Sequence, residues 1–275
     1  MPPITLYTNL FTIKGRDPAA NQYVKVFMVW LTFVEMFAGA DKVIAAIDST
    51  TFEYIKTVPK YISALNKTIA AVDIYEPPDT LIDGMAMRYF MGMRLQEKEP
   101  NRLYMYLDVD VLPVRHLLEL FVGEVEGKIH IATEEYLKHC VGDIFHCYYL
   151  DGRIELTPEQ KERVGRFGGI SSGMFAWHLT DGGNFFRRIL FAIWKDKQAK
   201  KEFIHTIDQP YFNEQVIRLF LEDEKRISAM PSDRFGFNAP FGASQRHVLL
   251  NYAGNVGDDA FHFQKIEQFY DRLFG

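Results

Sequence analysis

Tyr104-Met105-Tyr106-Leu107-Asp108-Val109-Asp110-Val111-Leu112-Pro113 is the stretch on which the fold turns. Leu103 to Leu107 is unbroken apolar sequence, as expected of a strand covered on both faces. It runs straight into two carboxylates separated by one residue. In an extended segment, side chains at i and i+2 share a face. Two carboxylates on one face repel each other unless a cation sits between them. Hard divalent ions such as Mg²⁺ and Mn²⁺ prefer oxygen ligands, and Mg²⁺ commonly takes one or two carboxylates plus substrate phosphates. The plainer alternative is that Asp108 and Asp110 open a solvated turn before Pro113. Directly after a buried strand, the pair points to metal.

Outward from this strand the chain alternates. Ile4 to Leu6 reads as a strand, Asn21 to Ala38 as a helix closed by Gly39, and Val43 to Ile47 as a strand ending at Asp48. Val72 to Tyr75 is a further strand stopped by Pro77-Pro78, and Leu81 to Glu97 a further helix. Short apolar runs with intervening amphipathic helices predict an α/β fold, its central sheet mainly parallel with helices on both faces. Such sheets bind ligands beyond the carboxyl ends of their strands. The second half is more mixed, with strands over Lys128 to Thr133, Gly169 to Trp177 and Val248 to Tyr252. Helices are marked by Phe185 to Trp194 and Phe212 to Phe220. The charged stretch Asp151 to Arg166 is the most linker-like. One domain over 1–275 is expected, with lobes of about 1–125 and 126–275.

Composition narrows the function classes. The 275 residues are 48% hydrophobic and 15% aromatic, which excludes disorder. A net charge of −5 without a long basic run argues against nucleic acid. Cys140 and Cys147, beside His139 and His146, are too few and too widely spaced for a zinc framework, and read as semi-buried thiols of a reducing compartment. The N-terminus lacks a basic start followed by an apolar run, and no apolar stretch of about 18 residues occurs. A cytoplasmic protein without a transmembrane segment is the expectation.

Three further segments offer chemistry. Gly168-Gly169-Ile170-Ser171-Ser172-Gly173-Met174-Phe175 places small residues and hydroxyls ahead of an apolar strand, so backbone can approach a ligand; a tight turn explains it equally. In Asp208-Gln209-Pro210-Tyr211-Phe212-Asn213, helix capping by itself accounts for Asp208, with Pro210 in the first turn, but not for Gln209. His262, in Phe261-His262-Phe263-Gln264, reads as a core histidine or as one more ligand for the acid pair.

With these segments in this order, the chain resembles retaining glycosyltransferases of the GT-A type, in particular the family-8 group of glycogenin and bacterial galactosyltransferases. The resemblance covers nearly the whole chain as ordered motifs: the acid pair with Leu112-Pro113-Val114, the Ser172-Gly173-Met174-Phe175 strand, Asp208-Gln209 followed by Asn213, and Arg88 on the helix before the acid strand. It implies a nucleotide-diphospho-sugar transferase fold. It also implies that Asp108, Asp110 and His262 hold Mn²⁺ (or Mg²⁺) against the donor diphosphate, while Tyr7, Thr8 and Asn9, directly after the first strand, cradle the nucleoside. Arg88 and Gly173 join the donor contacts, Ser172 and Asp208 contact the sugar, and Gln209 lies near the anomeric carbon. The implied reaction moves a hexose, by family default from UDP-galactose or UDP-glucose, onto a hydroxyl of a glycan or glycoprotein acceptor with retained configuration.

The chain departs from that pattern at its end. Where the family has a phosphate-contacting Lys, position 268 is Gln, and Lys265 is the nearest substitute. Ser171 stands where the family often has Asn. Glu134 or Glu135, after the fifth strand, is a further candidate contact. Two rivals share the acid pair. A haloacid-dehalogenase-like phosphotransferase would use Asp108 and Asp110 as nucleophile and acid, with Gly257-Asp258-Asp259 as its late metal motif. A non-catalytic nucleotide-sugar binder would hold the donor without transferring it.

Overall fold

The first strand, β1 (Ile4–Leu10), is longer than the local pattern suggests and is buried at every position. The structure, a computed structural model, describes residues 2–134, 150, 152–167, 169–179, 182–201, 208–237, 239–252 and 259–274, except for the side chains of 134, 182, 183 and 259–265. The protein is α/β with a mainly parallel sheet, and its chain divides into two compact units. Unit 2 comprises Pro3–Gly84, Met105–Phe121 and Asp233–Gly275; unit 1 comprises Met1–Pro2, Met85–Tyr104 and Val122–Ser232.

Unit 2 holds β1, β2 (Lys42–Asp48), β3 (Ala71–Tyr75) and the end of β4 (Leu103–Leu107). β2 pairs in parallel with both β1 and β3. The order is β3-β2-β1-β4, so it reverses between β1 and β4. The predicted long helix is α1 (Gln22–Phe33) followed by a π-helical turn over Val34–Ala38. Gly39 closes it at φ +60, where a Cβ would meet the His116 ring at 2.1 Å, so both backbone conformation and space demand glycine. Two helices not anticipated from the pattern, α2 (Ser49–Thr57) and α3 (Pro59–Thr68), join β2 to β3. Asp48 starts α2 by accepting from the Thr51 amide at 3.0 Å. A second sheet pairs β10 (Leu249–Asn251) antiparallel with β5 (Val111–Pro113) and parallel with β9 (Phe235–Phe237). The C-terminal helix of this unit, α8 (Asp259–Phe274), packs on α1.

Unit 1 contains most of α4 (Leu81–Lys98), then β6 (Lys128–Glu134), β7 (Gly169–His178) and β8 (Ile227–Ala229). β6 runs antiparallel to β7 and parallel to β8. Its other helices are α5 (Pro158–Gly165), α6 (Gly182–Gln198) and α7 (Gln209–Glu222). The linker-like charged stretch therefore contains a helix. Thr157 accepts from the Gln160 amide, the Gln160 side chain accepts from the Thr157 amide, and Pro158 opens the first turn. The core is aromatic: Tyr89 stacks with Phe175, Phe186 and Phe212, and Trp177 donates to Gln96 Oε1 at 2.8 Å.

Candidate functional site

The acid pair sits where the chain leaves β4. The Val111 amide donates to the Asp108 carbonyl at 3.0 Å, closing a turn over 108–111 in place of the expected extended segment. The alternation survives the turn: Val109 is 5% exposed, whereas Asp108 and Asp110 are both part-exposed. Two neighbours hold the turn. The Tyr106 hydroxyl donates to Asp108 Oδ1, and the Tyr252 amide donates to the Asp110 carbonyl at 3.0 Å. Tyr106 was legible as a partner, because it lies two residues before Asp108 on the same face of the strand.

Tyr7, Thr8 and Asn9 are not a loop after the first strand. They lie inside β1, with their backbones laddered to β2. The strand is longer than expected because Thr8 and Asn9, polar by type, are satisfied internally. Thr8 Oγ1 donates to the Leu107 carbonyl at 2.7 Å. Asn9 Nδ2 donates to the Gly84 carbonyl at 2.7 Å, and Asn9 Oδ1 accepts from the Tyr75 hydroxyl at 2.7 Å. Burial, with the Asp48 carboxylate second, pushes the Tyr75 phenol far above the ordinary tyrosine range, so it remains a donor. Tyr7 packs its ring on Tyr106 at 5.1 Å between centroids. Thr8 therefore ties β1 to the residue preceding Asp108. The loop that does follow β1 is also knotted: the Thr12 amide donates to Asp48 at 2.8 Å, and the Thr51 hydroxyl donates to the Thr12 hydroxyl at 2.7 Å.

Unit 1 gathers a second group. Arg88, on α4, donates from Nη1 to the Ser172 carbonyl on β7 at 2.9 Å. Its Nε lies 3.6 Å from Asp208 Oδ2, and the two side chains are 3% and 4% exposed. The Tyr89 hydroxyl donates to the same carboxylate oxygen. Asp208 precedes α7, and its carbonyl accepts from the Tyr211 and Phe212 amides at 3.1 and 3.2 Å, but its side chain caps nothing. That corrects the capping expectation: the carboxylate turns away from the helix amides to the Tyr89 hydroxyl and the Arg88 guanidinium. Gln209 Nε2 donates to the Ile170 carbonyl at 3.0 Å, which leaves the amide oxygen as its strong acceptor. Gly173 is the one part-exposed position of β7, and its amide donates to the Ser171 hydroxyl at 3.2 Å. Tyr89 carried no separate sequence signal, since only folding joins it to Asp208.

His262 and Lys265 lie on α8, and their side chains are outside the described residues, as is that of Glu134. Glu135, the stretch from His139 to Cys147, and Gly257-Asp258 also lie outside them. Among the described residues no three His, Cys, Asp or Glu side chains cluster as a metal site, and no helix is long and apolar enough to cross a membrane. No protein-family model matches the chain, and no curated protein matches it.

Proposed function

We propose that the protein is a metal-dependent glycosyltransferase that moves a hexose from a nucleotide diphosphate sugar onto a hydroxyl of a glycan or glycoprotein, with retention. One observation carries this reading. Asp108-Val109-Asp110 lies immediately beyond the carboxyl end of buried β4, where strand order reverses between β1 and β4, and both acids are part-exposed while Val109 is buried. Open α/β sheets bind their ligands at such a reversal.

The residues present fit a hard divalent ion of the Mn²⁺ or Mg²⁺ kind. Such ions can use two carboxylates and take their other ligands from phosphate and water, so a third protein ligand is not required. Asp108 and Asp110 would hold the ion, with His262 added by the family resemblance. Bound there, it would supply charge neutralisation for a departing diphosphate. Tyr106 orients the Asp108 carboxylate by its hydroxyl hydrogen bond. The donor-sugar roles of Arg88, Ser172, Gly173 and Asp208, and the phosphate role of Lys265, rest on the resemblance. Double displacement demands a carboxylate nucleophile, and the Gln209 amide is a poor one. Attack on the face the leaving group departs from, with the departing phosphate oxygen accepting the acceptor's proton, asks less of the chain.

The test is a panel of nucleotide sugars with Mn²⁺, UDP-galactose and UDP-glucose first, scored for sugar transfer, donor hydrolysis and heat stabilisation. One donor should raise the melting temperature by mass action and be turned over. Gln209→Ala should slow turnover severely. Hydrolysis of simple phosphomonoesters without any nucleotide sugar would overturn the reading in favour of a phosphotransferase. Binding without transfer or hydrolysis would leave a sugar-nucleotide binder.

A further inference from the structure

The outer face of α6 does not look like ordinary protein surface. Phe191 and Trp194 are 62% and 56% exposed, and they stack on each other with centroids 5.8 Å apart and planes 28° apart. Single exposed apolar side chains are common, but two large aromatics packed together in solvent are not. Phe185, Phe186, Ile189 and Ile193, on the opposite side of the same helix, supply its core contacts. The aromatic pair lies on the side away from those core contacts.

Charge surrounds the pair. Residues 187–201 carry Arg187, Arg188, Lys195, Lys197, Lys200 and Lys201 against the single acid Asp196, in a chain of net charge −5. Asp196 is engaged by Arg153 at 2.6 Å. At helical spacing Arg187 lies along the same stripe as Phe191 and Trp194, with Arg188 and Lys195 on one flank and Lys197 on the other. Arg187 reaches Glu97, and Arg188 lies 3.6 Å from Glu222, which are exposed pairs of small energetic weight. The helix dipole favours lysines in the last turn and would by itself account for Lys195 and Lys197. It does not account for an exposed phenylalanine and tryptophan at the centre of the cationic face.

We propose that this face of α6 docks the protein on an anionic phospholipid surface. Phe191 and Trp194 would sit at headgroup level, where amphipathic aromatic rings are favoured, and the flanking Arg and Lys side chains would meet the lipid phosphates. The chain is held on the bilayer, not through it. This inference is independent of the glycosyl-transfer reading, since it uses none of those residues.

The experiment is co-sedimentation of the full chain with phosphatidylcholine vesicles made with and without phosphatidylglycerol. Brominated lipid serves as a fluorescence quencher in parallel. Trp30 and Trp177 are fully buried, so Trp194 is the tryptophan that lipid can quench. The expected result is binding that requires phosphatidylglycerol, weakens with added salt, quenches Trp194, and falls about tenfold in the Phe191→Ser/Trp194→Ser double variant and in Lys195→Glu/Lys197→Glu. Equal binding to both vesicle types, or unquenched Trp194, overturns the proposal. So does concentration-dependent self-association of the free protein that Trp194→Ser abolishes, which would make the face a contact between copies of this chain.

Discussion

Two groups of ionised side chains drew attention in the sequence, and the structure treats them oppositely. Asp108 and Asp110 stand part-exposed on a turn held by a tyrosine hydroxyl and a backbone amide. Arg88 and Asp208 are sealed, each given its counter-charge from a distant part of the chain. A carboxylate that keeps access to solvent is open to a ligand, whereas one enclosed with a guanidinium already holds elements in place whatever else it contacts. Burial, more than residue type, separates the two roles.

The strongest way to break that comparison is Asp208→Ala. Removing one member of a buried pair takes from Arg88 the carboxylate it faces in the interior, and unfolding in urea should show a loss of about 3–5 kcal/mol. Asp108→Asn should leave stability within about 1 kcal/mol. If the two variants were equally stable, the division would fail. Next, Asp108→Asn and Asp110→Asn should each cut sugar transfer by about a hundredfold or more and abolish heat stabilisation by Mn²⁺ with UDP.

Acid sharpens the comparison from the buried side. Burial holds the His130 imidazole at about 4, below its ordinary 6.5, and its ring nitrogen donates to the Val125 carbonyl at 3.3 Å. Above about pH 6.5 the residue is neutral both folded and unfolded. As pH falls toward 4 the unfolded chain takes up a proton that the fold refuses, so this group's contribution to stability is progressively lost. Denaturant midpoints measured from pH 7 to 4 should fall, by about 3 kcal/mol of stability at most, and His130→Gln should flatten that slope. The smallest expected effect is that of Tyr106→Phe. It should lower stability by about 1 kcal/mol and weaken Mn²⁺ binding about tenfold, since Asp108 loses its orienting partner.

The acid pair at a strand end was legible because the apolar run, the alternation and the two carboxylates are local. Arg88 was singled out only by the family resemblance, since nothing local in its helix marks it. The helix at Thr157-Pro158-x-Gln160 was missed because the surrounding charge reads as linker, although its capping signal is complete in the sequence. Of the second sheet only β10 was legible, as the strand over Val248 to Tyr252; β5 and β9, three residues each, are too short for periodicity. Nor was the length of β1 legible: its polar residues Thr8 and Asn9 look like a loop until Leu107, Gly84 and Tyr75 satisfy them.

By itself, the order of residues determined the α/β class, the strand that ends in acids, and the helices α1, α4, α6 and α7, since each depends on neighbours within a few turns. Only the tertiary structure decided that Asp208 abandons its helix cap for Tyr89 and Arg88, 119 and 120 positions earlier in the chain. The physical reason is that a buried charge selects its partner by proximity in space, and the low polarity of the interior makes that selection stronger than any local preference.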